Sequence, residues 1–381
     1  MIGLKCDRIV LEDRLMDGYV YIEGDQICGV SQEALPCEEL YDYTGSILAP
    51  GFVDIHTHGA GGFSFSNSAP EEVLTACHTH LRHGTTTIFP TISTAAIKDM
   101  ERSLHNLAAA RKDPRLKSRV PGVHMEGPYL SPKQCGAQNS SNITPPVKED
   151  YTNLVKKYPN EIARWTYAPE QDPEGEFCTF LAENGILPSV GHSDATYEQL
   201  LPAVEAGCKL VTHLYSATST VTRQLGYRHL GVIETAYLRD DMAVEIIADG
   251  HHLPPELICM IVKIKGIDQV AAVTDSLYPA GTDLTEGCSD GVSFIVEGGV
   301  CRLPDRSAFA GSIATADRLL RVLHEDCGIP LPQAVKMLTA VPARIMGLDV
   351  GIITPGRPAD LVVLDRKLQA QDVFVGGNKV S

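Results

Sequence analysis

The chain has no apolar run near the ~18 residues that cross a membrane. Its N-terminus, MIGLKCDRIVLEDRL, lacks the continuous apolar core of a secretory signal. Basic side chains are in deficit: 32 Lys and Arg stand against 48 Asp and Glu, a formal charge of −16. That balance argues against a nucleic-acid groove or an anionic membrane surface as the main partner, and no basic helix or zinc-finger spacing offsets it. It leaves room for a small anionic substrate held by a local basic pocket. There is no CxxC pair among the eleven cysteines, whose shortest gap is that between Cys28 and Cys37. An odd, scattered set of this kind reads as reduced thiols in a cytoplasmic protein and not as a disulfide framework. Repeats of 20 to 50 residues and low-complexity tracts are missing as well.

What is present is ordinary globular material, 44% apolar and 21% charged. A length of 381 residues fits two to three domains, or one barrel of roughly 250 residues with an appendage. Eight short β-branched or apolar runs recur, at 52–58, 85–91, 120–126, 164–168, 187–192, 210–214, 243–249 and 270–275. Helical stretches such as 69–83, 98–112, 197–206 and 254–265 lie between them. This rhythm predicts an α/β fold, a parallel (β/α)8 TIM-type barrel, although an open doubly wound sheet gives a similar pattern. Both ends read differently. Strand-like pieces at 8–12 and 19–27, and at 359–365 and 373–375, predict a small β-sandwich domain built from residues 1–50 and 347–381. The catalytic barrel then spans 51–346, with a hairpin at 292–302 and helices at 315–325 and 331–346.

The sharpest signal is where metal-type side chains fall. His56 and His58 end the first run, and residues two apart on a strand share a face, so both imidazoles project together while Thr57 faces away. Glu126 ends the third run, His192 the fifth and Asp275 the eighth, and His213 lies near the end of the sixth. In a parallel barrel these strand ends open on one mouth, so six ligands converge from five strands. Four imidazoles and two carboxylates suit Zn²⁺, Fe²⁺ or Mn²⁺. A second His-Thr-His, at His78 to His80, lies in a helical context where i and i+2 do not share a face, and is read as structural. His124 shares parity with Glu126 and is expected beside the centre without joining it. The glycines of HGAGGF, Gly59, Gly61 and Gly62, suit a flexible loop or an anion nest.

These residues also carry a resemblance. APGFVDIHTHG, GTTTIFPT, GVHMEGPYLSPKQCGA, VGHSDATYEQ, VTHLYSA, IADGHHL, VTDSLYPAG and PADLVVLD run in order over nearly the whole chain. Together they are similar to the N-acetylglucosamine-6-phosphate deacetylase family of the amidohydrolase superfamily. The resemblance implies a barrel with a β-sandwich from both termini, one or two divalent metals, and a homodimeric or homotetrameric cytoplasmic enzyme. It places Glu126, His192 and His213 as principal metal ligands, His56 and His58 at a second metal, and Asp275 as the acid/base.

On the substrate side the resemblance is looser. The family's Gly-Ala-His becomes Gly136-Ala137-Gln138, so the acyl oxygen would meet a glutamine amide that cannot become cationic. Its Asn-Ala pair becomes Ser216-Ala217, whose backbone N–H groups remain as anion donors. Its phosphate-gripping arginine corresponds to Arg228 by spacing to the next glycine, with Arg223 as a rival by distance from His213. His252 matches a substrate-binding histidine, and Phe309, Ala310 and Gly311 match the opposite wall. The expected reaction is metal-dependent loss of acetate from N-acetylglucosamine-6-phosphate. The alternatives are the galactosamine isomer, an unphosphorylated N-acetylhexosamine, and a catalytically silent sugar-phosphate-binding regulator.

Overall fold

The structure, a computed structural model, describes residues 1–289 and 291–381. Its centre is eight parallel strands: β1 (Phe52–Thr57), β2 (Thr85–Ile92), β3 (Val123–Glu126), β4 (Ile162–Tyr167), β5 (Leu187–Val190), β6 (Leu210–Val211), β7 (Ala243–Ile247) and β8 (Val270–Val273). They pair in chain order, each parallel to its neighbour. Nearly every residue in them is buried, as expected when helices cover one face and packed side chains the other. The ring is joined between β8 and β1 just beyond the strand ends. Here the His58 N–H donates to the Ser276 carbonyl at 2.8 Å and the Asp275 N–H to the His56 carbonyl at 2.9 Å. The Thr274 hydroxyl reaches Asp54 at 2.5 Å. That closure decides for a barrel over an open sheet.

Helices Pro70–Arg82, Ile97–Ala110, Tyr197–Glu205 and Pro255–Lys265 occupy expected crossovers, and Lys148–Lys157, Glu176–Glu183 and Val232–Leu238 fill others. Thr196 shows why one of them starts where it does. Its hydroxyl accepts the Gln199 N–H at 3.4 Å, and the Gln199 side chain returns to the Thr196 N–H at 2.9 Å, a reciprocal cap. The expected helix at 331–346 is instead two, Leu331–Leu338 and Ala340–Ile345. The break falls at Thr339 (φ −133°, ψ −83°), which apolar periodicity running on through Leu338 and Val341 does not reveal. The helix expected at 315–325 is Ala316–Arg321, which loosens into a π-turn at Val322–Asp326.

Both termini build one separate sheet. Its order is Asn378–Lys379, Ala370–Val375, Leu361–Leu364, Ile47–Pro50, Ile2–Val10, Leu15–Glu23 and Gln26–Ser31, with Glu39–Asp42 also paired to Ile2–Val10. Leu4, Cys6, Val20, Ile22, Leu48, Leu361, Val363 and Phe374 form its own core. The piece expected at 19–27 covers the end of one strand and the start of the next, because the turn at Gly24 (φ 62°) divides it. The hairpin expected at 292–302 belongs to a four-stranded antiparallel sheet of Glu286–Ser289, Val292–Glu297, Val300–Arg302 and Phe309–Ser312. Gly59–Ala60 pairs with Phe63–Ser64 in a small hairpin. The Gly61 and Gly62 N–H groups donate to Ala280 and Tyr278 carbonyls at 2.8 Å each, so HGAGGF is neither a free loop nor an anion nest. No helix among the described residues is long and apolar enough to cross a membrane.

Candidate active site

At the C-terminal mouth of the barrel the chain leaves each strand abruptly. β5, β6 and β8 stop at Val190, Val211 and Val273, two or three residues short of the runs read from sequence. His192 (φ 48°), His213 (φ 29°) and Asp275 (φ 45°) then take left-handed backbone conformations. Tyr215 and Ala217 do the same, so five of the nine non-glycine positive-φ residues described line one cleft. Such conformations cost about 1–3 kcal/mol each and persist where surrounding structure enforces them. Here they swing side chains from strand ends into a common space of about 330 Å³.

Glu126 is the hub. Its Oε1 lies 3.2 Å from His192 Nε2, 3.0 Å from His213 Nε2 and 3.4 Å from His56 Nε2, and its Oε2 lies 3.2 Å from His58 Nε2. Asp275 Oδ1 stands 3.4 Å from His56 Nε2 and 3.2 Å from His58 Nε2. His192 and His213 face each other through Nε2 at 3.1 Å, and His56 and His58 at 3.3 Å. The other ring nitrogens are occupied unevenly. His192 Nδ1–H donates to the Gln134 carbonyl at 2.9 Å, His58 Nδ1 meets the Ser93 hydroxyl at 3.0 Å, and His213 Nδ1 has no hydrogen-bond partner among the described residues.

So many lone pairs at one point repel unless positive charge sits among them. Burial pushes the Glu126 and Asp275 carboxyls up, yet the surrounding imidazoles hold both well below the usual carboxylate range. Conversely, burial opposes charging His58, and Asp275 and Glu126 outweigh it to raise its pKa to about 9. His56 shifts the same way, while burial lowers His213. The centre therefore draws a cation. Two triads fit one, with donor atoms all within 4.8 Å of one another: His56, His58 and Glu126, and Glu126, His192 and His213. His124 joins neither; its ring is held between the Thr91 and Thr166 hydroxyls at 3.1 and 2.7 Å. The second His-Thr-His lies on helix Pro70–Arg82, where His78 meets the Arg115 carbonyl and His80 the Thr57 hydroxyl, each at 3.0 Å.

Ala137, Gln138, Ser216, Ala217, His252, Phe309, Ala310 and Gly311 all line the cleft. Gln138 is partly committed: its amide donates to Glu126 Oε2 at 2.6 Å and accepts the Thr94 N–H at 3.0 Å. The Ser216 N–H donates to the His213 carbonyl at 2.9 Å, which removes it as the anion donor expected above. Asp249 Oδ2 holds His252 Nδ1 at 2.7 Å, and the His252 ring packs 5.0 Å from Phe309. Arg228 is not in the cleft. It pairs with Arg223 across an exposed hairpin, Thr222–Gln224 and Tyr227–His229, and donates to the Gly226 carbonyl at 3.1 Å. Sequence reasoning missed Ser93, Tyr215, Ile247, Leu277, Ser289, Val292 and Phe294 as lining residues. The length of the insert after β8 was the only available signal for its part of that wall.

The pattern of the Amidohydrolase family matches residues 47–380. With a metal-type cluster at the mouth of a barrel, the chain belongs to that family and is a hydrolase of amide bonds. Within it the chain is similar, at 31% identity over 98% of its length and 96% of the relative's, to N-acetylglucosamine-6-phosphate deacetylase of Bacillus subtilis (strain 168). It is 30% identical to N-acetylgalactosamine-6-phosphate deacetylase of Shewanella sp. (strain ANA-3), over 92% and 88% of the two chains. A solved structure of a mutant N-acetyl-D-glucosamine-6-phosphate deacetylase from Mycobacterium smegmatis, in complex with N-acetyl-D-glucosamine-6-phosphate, superposes with a TM-score of 0.92. It is 29% identical and covers 99% of this chain and 98% of that one.

Proposed function

We propose that this chain removes acetate from an N-acetylated amino-sugar phosphate, converting N-acetylglucosamine-6-phosphate to glucosamine-6-phosphate. The observation that carries the reading is the shared Glu126 carboxylate. One oxygen serves His192 and His213 and the other His58, with Asp275 alongside. These residues would hold one or two divalent ions, zinc first by its preference for imidazole and carboxylate, with Fe²⁺ or Mn²⁺ as alternatives. When bound, such a cation acidifies water toward a pKa of about 7 and polarises the acyl carbonyl.

Asp275, kept ionised by His56 and His58, takes the proton of the attacking water and returns it to the departing amine. Gln138 spends one amide N–H on Glu126, and its second serves the acyl oxygen, near Ala137. His252, fixed by Asp249, meets the sugar, with Ser216 and Ala217 on one side and Phe309, Ala310 and Gly311 opposite. Among the described residues no lysine or arginine lines the cleft. The phosphate's counter-charge is therefore assigned to the exposed hairpin of a neighbouring copy, through Arg228 or its rival Arg223, in a homodimer or homotetramer. All eleven cysteines are free thiols, which supports a cytoplasmic enzyme.

Initial-rate acetate release from N-acetylglucosamine-6-phosphate, its galactosamine isomer and the unphosphorylated sugar tests the reading. The phosphorylated glucosamine compound should have the highest kcat/KM. The similarity to the Shewanella enzyme favours the galactosamine isomer as the second reading, and a higher rate on it would transfer the assignment. Equal turnover with and without phosphate would refute the anion-site part.

A further inference from the structure

Beneath the candidate metal centre lies a buried polar layer that the reaction does not use. Arg164 on β4 and Glu245 on β7 are both 0% exposed and pair through the two terminal guanidinium nitrogens, one contact at 2.9 Å and the other shorter. The remaining Arg164 donors go to the Ser189 hydroxyl at 3.0 Å, the Ile55 carbonyl at 3.2 Å and the Thr212 hydroxyl at 2.7 Å. Five N–H groups thus meet five acceptors, the full capacity of a guanidinium. Glu245 Oε2 then stands 3.4 Å from His56 Nδ1. An ionised carboxylate only accepts, so the neutral His56 ring keeps its proton on Nδ1 and turns the Nε2 lone pair toward His58, Glu126 and Asp275.

Of the four clustered imidazoles, only His56 is backed by a carboxylate among the described residues. His192 is backed by a carbonyl, His58 by a hydroxyl and His213 by none of the described residues. A guanidinium–carboxylate pair is a costly way to fill a barrel centre, since desolvating both charges offsets most of their attraction. A neutral layer of similar volume would pack as well but would fix neither the tautomer nor the tilt of His56. We propose that Glu245, anchored by Arg164, is a positioning residue that sets the affinity of the ion held by His56, His58 and Glu126. The inference rests on the metal reading of the centre and is independent of which sugar is deacetylated.

Zinc competition against a chromophoric chelator, without substrate, provides the test, with the d–d spectrum of the Co²⁺-loaded chain as second readout. Two variants are used, isosteric Glu245→Gln and the apolar double replacement Arg164→Met/Glu245→Leu, each in wild-type and His56→Ala backgrounds. Outer partners of metal ligands typically govern 10- to 100-fold in affinity. Zinc should bind at least ~10-fold more weakly to the folded variants in the wild-type background, with a shifted Co²⁺ spectrum. In the His56→Ala background the same changes should add less than about threefold. Unchanged affinity and spectrum, or an equal loss in both backgrounds, overturns the proposal.

Discussion

Asp275 lies two residues beyond the end of β8 in a left-handed conformation, and that single residue's backbone aims its carboxylate at His56 and His58. Asn has the same shape but cannot accept the water's proton. Asp275→Asn should keep its metal content while turnover falls at least ~10²-fold. Elemental analysis beside an acetate assay checks both halves, and undiminished turnover contradicts the assigned role. At this scale the six clustered side chains were legible because strand alternation and strand-end position are properties of the sequence itself. The strain was not: a histidine at φ 48° looks like any other in one dimension. Nor could residue type show that the Ser216 N–H is already taken, or that Gln138 supports Glu126. Those facts depend on loops whose courses are set by what they pack against.

At the level of elements, helix Pro70–Arg82 is pinned to β1 by His80, a fully buried ring beside the Thr57 hydroxyl and the Gly59 carbonyl. Burial lowers its pKa from 6.5 to about 4, a shift that the Gly59 carbonyl only partly opposes. The unfolded chain therefore binds a proton near pH 6.5 that the folded one refuses. The contribution is complete above pH 6.5 and lost as pH falls through 4, up to roughly 3 kcal/mol. Denaturant unfolding of the wild type and His80→Gln between pH 7 and 4 should show the variant's stability falling less steeply. Parallel pH dependences would refute the assignment. All eight barrel strands were legible because apolar runs bounded by polar crossovers are strong one-dimensional signals. Hairpin Thr222–Gln224 with Tyr227–His229 was not, since Leu225 is fully exposed and Tyr227 is 75% exposed, so no core-facing alternation marks it. The same blindness hid the break at Thr339, where the apolar pattern continues although the backbone does not.

For the whole molecule, barrel and two-ended sheet could be anticipated because strands flank the βα rhythm at both ends of the chain. The cleft wall from Glu286–Ser289 to Phe309–Ser312 was only partly visible, because antiparallel strands on a surface insert need face little apolar core. Among the described residues no lysine or arginine lines the cleft, and no pattern in the sequence marks that. Everything rests on Glu126, His192 and His213 sharing an ion with donors brought from β3, β5 and β6. Anomalous diffraction at the zinc edge, on crystals of the zinc-loaded chain, tests this most directly. A peak about 2.0–2.2 Å from His192 Nε2, His213 Nε2 and a Glu126 oxygen is the expected result. Active crystals with no anomalous peak at that position would contradict it.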